Sequence, residues 1–246
     1  MVLAMAHIHF FYVDPQEAGP QGFELRGAEY QHAVRVLRKQ VGERVIAVDG
    51  LGRRYTGPIL AIGAKSLRVG VETVEEGAGE PRLQLTLAQG VPKGGLFDWV
   101  VEKGTEIGVS VFQPMLTAGT VAAPRGRAGR WEEKARAAMK QCGRSRAPEV
   151  RPLRSFAEVV DAARGAALFI AWEEAEVTRT ELAAALAGRA AATLLIGPEA
   201  GFTQAEVDRA VTAGALPISL GPRRLRSETA ALTAAVRLLD AAGELG

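Results

Sequence analysis

Residues 191–229 read AATLLIGPEAGFTQAEVDRAVTAGALPISLGPRRLRSET. A short apolar run, ATLLIG, gives way to a helical pattern, TQAEVDRAVTAG. A second run, LPISLG, leads to a last helical pattern from Ser227. Strand, helix, strand, helix in so little chain predicts a mostly parallel sheet covered by helices. Each run ends in Gly-Pro. The first continues as Gly197-Pro198-Glu199-Ala200-Gly201-Phe202, the second as Gly221-Pro222-Arg223-Arg224-Leu225-Arg226-Ser227-Glu228-Thr229. Ligands of open α/β sheets bind beyond the C-terminal ends of the strands. Glycine lets backbone approach a ligand closely, and proline stiffens the exit from the sheet. On neighbouring strands, side by side, two such loops would hold a flat cofactor between exposed backbone groups. One Gly-Pro alone is turn punctuation; two, each with a glutamate on its exit, point to a site. Neither loop matches G-x-G-x-x-G or the P-loop pattern, which disfavours a phosphate-cradling nucleotide site.

The alternation extends back to about residue 82. RLQLTLAQ, VFQPML and ALFIAW read as strands. LFDWVVEKGTEIG, RWEEKARAAMKQCG, SFAEVVDAARG and TRTELAAALAG read as helices. Ser155 with Glu158, Thr178 with Glu181 and Thr203 with Glu206 have capping-box spacing and fix three helix starts. Residues 1–75 have a different rhythm. HIHFFYV, RVIAVDG, RRYTGPILAIG and SLRVGVETV are short strand patterns cut by glycines, which predicts a small barrel or sandwich. One helical piece, AEYQHAVRVLRKQ, interrupts them and places Arg35 and Arg38 on one face. VEEGAGEPR reads as the linker between the two regions.

The 246 residues suit one small and one larger domain, and 48% hydrophobic with 24% charged residues is ordinary for a globular protein. A net charge of +2 does not by itself identify a partner; distribution does more. Arg26, Arg35, Arg38, Lys39, Arg44, Arg53 and Arg54 form one basic set. Arg125, Arg127, Arg130, Lys134, Arg136, Lys140, Arg144 and Arg146 form a denser one that favours RNA or phosphate. The single cysteine, Cys142, excludes an internal disulfide and suits a reducing cytosol. It reads as a packed thiol rather than a nucleophile. The start lacks the charged region of a signal peptide, and no apolar run is long enough for a membrane span. His7, His9 and His32 make no zinc-like cluster, so no metal is expected.

HAVRVLR, VVEKGTEIGV, KQCGRSRAPEV, LLIGPEAGF and ISLGPRRLRSETAAL together resemble the RsmE family of the SPOUT class of methyltransferases. The stretches cover nearly the whole chain. The resemblance implies methylation of N3 of a uridine in 16S ribosomal RNA of the small subunit, with S-adenosylmethionine as cofactor. It implies a PUA-like RNA-binding β-barrel over residues 1–75 and a SPOUT α/β domain over 82–246 with a trefoil knot. It also implies a cytoplasmic homodimer whose cofactor site lies near the dimer interface. Leu195, Ile196, Gly197, Pro198, Glu199 and Gly201 would line one side of the cofactor. Leu220, Gly221, Leu225, Arg226, Ser227, Glu228, Thr229 and Ala230 would line the other, with Trp172 and Glu173 completing the pocket. Arg26, His32, Arg35, Arg38, Lys39, Lys103, Arg144 and Arg146 would meet RNA. The chain departs from the family at two places. It has Ala200-Gly201 for a frequent Gly-Gly, and alanine is strained if position 200 takes a positive φ. His9 stands about where a first-strand arginine is common.

Attack by a ring nitrogen on an activated methyl needs alignment, exclusion of water and removal of a weakly acidic proton. Arg226 is the expected electrostatic element, and Glu199 or Glu228 the expected proton acceptor. Two other readings compete: a non-catalytic RNA-binding ribosome-assembly factor, and a metabolic α/β enzyme acting on a phosphorylated small molecule.

Overall fold

The computed structural model describes residues 9–120, 128–175 and 177–245. His7, Arg125 and Arg127 lie outside them. The chain forms two compact units. One is Met1–Glu80 with Arg136–Ala147, the other Pro81–Ala135 with Pro148–Gly246.

The first unit is built on strands β1 (Phe10–Tyr12), β2 (Gly22–Arg26), β3 (Arg44–Val48), β4 (Arg53–Ile62), β5 (Ser66–Gly70) and β6 (Thr73–Glu76). Their order is β1-β3-β4-β5-β2, with β6 also on β4. Long β4 pairs with β3 and β6 near its start and with β5 near its end, so the sheet curls on itself. Alternate residues turn inward, among them Phe23, Leu25, Tyr55, Ile59, Leu67 and Val69. Cross-strand ion pairs join β4 to β6, Arg53–Glu76 at 2.9 Å and Arg54–Glu75 at 2.7 Å. Buried Asp49 holds the β3–β4 turn, its Oδ1 accepting the N–H of Leu51, Gly52 and Arg53.

Two readings of this region are corrected. Residues 74–82 are not a bare linker. Strand β6 occupies their first part, and the Glu80 carboxylate accepts from the Arg144 guanidinium and from the N–H of Ser145 and Arg146. The helical piece also ends early. Helix α1 (Gly27–Gln31) runs into a π-helical turn, His32–Val36, and Arg38 has φ 54°. Arg35 and Arg38 therefore share no helix face.

In the second unit, β7 (Gln84–Gly90), β8 (Val111–Leu116), β9 (Glu149–Val150), β10 (Arg154–Ser155), β11 (Ala167–Ala171), β12 (Ala191–Ile196) and β13 (Leu216–Ile218) form one parallel sheet. The order is β10-β8-β7-β12-β11-β13, with β9 beside β8. Helices α2 (Leu96–Ile107), α3 (Ala128–Cys142), α4 (Phe156–Ala162), α5 (Arg179–Leu186), α6 (Gln204–Thr212) and α7 (Ser227–Ala241) complete the chain. All three capping boxes form as expected, at the starts of α4, α5 and α6. Apolar clusters cover both faces of the sheet. Leu83, Leu85 and Leu87 pack with Phe97, Val100, Ala234 and Leu238, while Ala88, Leu168 and Leu195 pack with Val160 and Val207. No helix among the described residues is long and apolar enough to cross a membrane. One expectation fails here: β12 and β13 are not neighbours, because β11 lies between them. The two Gly-Pro loops therefore leave the sheet two strands apart.

Candidate active site

The loop after β12 is tightly made. Gly201 N–H donates to Pro198 O at 2.9 Å, closing a turn in which Gly201 takes φ 74°. The left-handed position is thus 201 and not 200. Ala200 carries no positive φ, so the feared strain is absent. Pro198 packs on the end of β7, where a Cβ on Gly90 would lie 2.6 Å from Pro198 Cδ and 2.8 Å from Pro198 N. Glu199 is exposed, and its Oε1 accepts the Lys93 N–H at 2.8 Å. The exits of β7 and β12 are therefore pinned together, by contact at Pro198 and by a charge-assisted hydrogen bond at Glu199.

The loop after β13 is open. Gly221 has φ 96°, and a Cβ there would meet nothing within 4 Å. Its N–H reaches Ser219 Oγ at 3.3 Å, and the Arg237 guanidinium donates to Ser219 O. Pro222, Arg223, Arg224 and Arg226 are exposed, while Leu220 and Leu225 are half-buried. Helix α7 starts after Arg226 without a side-chain cap. The loop after β11 lies between the two; Trp172 N–H donates to Ile218 O at 2.9 Å, and the indole side chain is half-buried.

Hydrogen bonds close the gap left by β11. Ser227 Oγ donates to Gly197 O at 2.6 Å, and Gln89 Nε2 donates to Ser227 Oγ at 2.9 Å. Gln89, Ser227 and Glu228 are all buried, at 0%, 5% and 8% exposure. Gln89 Oε1 and Glu228 Oε2 are buried acceptors without a partner among the described residues. Unsatisfied buried acceptors are uncommon and call for a donor. Leu195 and Ile196 are core residues below this cluster, Ala230 is half-buried against the core, and Thr229 is exposed. Gln89 escaped the reading of the sequence, yet it left a signal. Leu83, Leu85, Leu87 and Gln89 form a period-two row whose last member, at the C-terminal end of a buried strand, is polar.

The expected RNA contacts divide. Arg144 is only 4% exposed and is paired with Glu80 at 2.7 Å, which corrects its assignment to an RNA surface. Four more members of the second basic set are matched among the described residues. Arg130 pairs with Asp98, Lys134 with Glu102 and Lys140 with Glu29, and Arg136 lies over the Tyr12 ring. Acids and an aromatic ring on other elements account for its density, with Arg146 left exposed. Lys103 pairs with Glu106 and Glu102, whose hydrogen bonds hold its ammonium above the usual lysine range. Arg26 pairs with Glu24 and Lys39 with Glu43. His32 is half-buried, 5.8 Å ring to ring from Phe11. Arg35 and Arg38 are exposed and make no ion pair among the described residues.

A curled β unit and a separate unit built on a parallel α/β sheet, with joined loops at the strand ends, are the build of RNA methyltransferases of the SPOUT class. Residues 79–239 match the RNA methyltransferase domain, and residues 25–72 match the RNA methyltransferase PUA domain. The chain is 32% identical to ribosomal RNA small subunit methyltransferase E of Synechocystis sp., over 92% of this chain and 75% of that protein. It is 28% identical to the Bacillus subtilis protein of the same name, over 86% and 87%. The crystal structure of the Neisseria gonorrhoeae enzyme of that name, bound to S-adenosyl methionine, superposes with a TM-score of 0.80 at 26% identity, covering 95% of this chain and 98% of that one. The chain belongs to the ribosomal RNA small subunit methyltransferase E family.

Proposed function

We propose that this protein moves the methyl group of S-adenosylmethionine to N3 of a uridine in 16S ribosomal RNA of the small subunit, in the cytoplasm. The observation that carries the reading is the joined pair of loops. Gly197 and Ser227 are tied directly, and the buried, donor-seeking Glu228 follows at once. S-adenosylmethionine bears amino and hydroxyl hydrogens, which suits two acceptors that lack donors. Gly197, Pro198 and Gly201 on one side, and Leu220, Gly221, Leu225, Thr229 and Ala230 on the other, are the residues that would hold it, above Leu195 and Ile196. When bound, it supplies a methyl already activated on a sulfonium.

The chain's own residues have the remaining work. Arg226 is exposed at the mouth of α7 and makes no ion pair among the described residues, so its guanidinium is free to meet negative charge. Loss of the N3 proton spreads charge onto the uracil carbonyl oxygens, and a placed cation there lowers the barrier. Glu199 takes the proton: only one of its oxygens is committed, to Lys93 N–H, and its exposure lets the proton pass on to water. Glu228 is buried and serves cofactor donors instead. Arg35 and Arg38, with Arg146, are the cations best placed to meet phosphate, and the target base is splayed out for reaction.

The homodimer and the knot belong to the same reading. Trp99 on α2 and Val236 on α7 are 43% and 39% exposed, and these two helices pack on each other, which supports an apolar face for a second copy. Helix α7 also returns from the edge strand β13 to lie on β7 and β12, the course a knotted chain would take.

Mass spectrometry of ribosomal RNA from cells with and without the protein tests the activity; an unchanged uridine overturns it. Arg226→Ala should lower kcat by about a hundredfold to a thousandfold while S-adenosylmethionine still binds in calorimetry. Absent cofactor binding by the unaltered chain would favour the non-catalytic assembly factor.

A further inference from the structure

We propose that Gln89 is a positioning residue of the methyl-transfer site, acting through Ser227 to fix the spacing of the two cofactor loops. The proposal rests on the methyltransferase reading above. Its basis is the direction of the hydrogen bonds. A serine hydroxyl has one proton. Ser227 gives it to Gly197 O at 2.6 Å, so toward its other neighbour the hydroxyl can only accept, and a neighbour that accepted would compete for the proton. Gln89 Nε2 is that neighbour, at 2.9 Å, and an amide nitrogen cannot accept. Gln89 therefore sets the direction of the whole chain: β7 end to α7 start to β12 exit. Gln89 and Ser227 are buried, at the end of the bridge where bulk water does not take the place of a lost donor.

The same geometry explains why a polar side chain ends the row Leu83, Leu85, Leu87. The sheet register places Gln89 beside Ile196, the last residue before Gly197. From there its amide reaches across the strand end to the first turn of α7. Its Oε1 remains buried and free, as does Glu228 Oε2 one residue beyond Ser227. A bridge between loops flanked by two free acceptors is arranged for a ligand that brings N–H or O–H groups between them.

Two substitutions of similar size separate direction from packing. Gln89→Glu keeps the shape but accepts where glutamine donates. The Ser227 proton then turns to residue 89, and Gly197 O loses its donor. Gln89→Met keeps the shape, donates nothing and leaves Ser227 bonded to Gly197. Calorimetry with S-adenosylmethionine on the full chain should show affinity falling about tenfold to a hundredfold for Gln89→Glu, and less than tenfold for Gln89→Met. The KM for small ribosomal subunits should stay within about twofold in both. Equal losses in the two variants, or cofactor affinity within about twofold of wild type in both, would overturn the proposal, as would a change confined to the RNA KM. Should Gln89→Glu fail to fold, Ser227→Ala takes its place, with the same loss expected. Failure of the unaltered chain to bind S-adenosylmethionine would count against the methyltransferase reading itself, a result distinct from equal binding by all variants.

Discussion

The loops that leave β12 and β13 begin with the same dipeptide and reach opposite conditions. Gly197-Pro198 is packed against Gly90, closed by a turn at Gly201, pinned through Glu199 and followed by a capped helix. Gly221-Pro222 stands in open space, with exposed arginines after it and an uncapped helix beyond. Proline fixes one dihedral in each, so the difference comes from neighbours. A strand end lies against the first loop; edge strand β13 gives the second no such support. The rigid loop suits a fixed wall for a small ligand, and the open one suits a side that closes on ligand and RNA together.

The largest effect should come from filling the space that makes the first loop rigid. In Gly90→Ala the new methyl would meet Pro198 Cδ at 2.6 Å, Pro198 N at 2.8 Å and Thr117 Cγ2 at 3.2 Å. Backbone and a proline ring must both shift, at a cost of about 1–3 kcal/mol. A fall in Tm together with weaker S-adenosylmethionine binding is expected. An unchanged Tm would show the packing to be looser than described and would erase the contrast.

Gly221→Ala is the matched experiment on the other loop, and its effect should be smaller. No atom opposes the methyl there, so only the positive φ is at stake, worth about 1–2 kcal/mol. Chemical denaturation of the two variants side by side checks the ranking. A Gly221→Ala variant as damaged as Gly90→Ala would mean that this loop, too, is held by its surroundings.

The sequence shows this contrast only in part. The alternation of strands and helices was legible because buried parallel strands and capped helices leave strong local patterns. Ser155, Thr178 and Thr203 each cap the helix expected of them. Both Gly-Pro loops were legible as well. Strand order was not, since insertion of β11 between β12 and β13 is set by crossovers that local pattern does not record. The charge reading failed at Arg144 for a related reason. Its partner Glu80 lies 64 residues away, in a stretch whose glycines and acids look like a linker. Gln89 was hidden by size: one polar residue in an apolar strand reads as the end of the strand, and only the position of Ser227 shows what it holds.

The smallest effect separates helix starts capped in the manner of α6 from the uncapped start of α7, and acid is the probe. Hydrogen bonds from the Ser155 hydroxyl and N–H hold the Glu158 carboxyl below its ordinary range. The Thr178 N–H and hydroxyl do the same for Glu181. Carboxyls lowered in this way stabilise the folded chain above their ordinary value of 4.5, and that contribution disappears as pH falls through the lowered values. The first turns of α4 and α5 should therefore open in that window. Helix α7 has no such cap to lose, its first bonded amide being Ala230 N–H on Arg226 O at 2.8 Å. Hydrogen-exchange protection measured down through pH 4.5 should fall at Glu158 and Glu181 before it falls at Ala230. Simultaneous loss at all three would mean that acid opens the whole second unit at once. The uncapped start of α7 would then be no more independent of its neighbours than the capped ones.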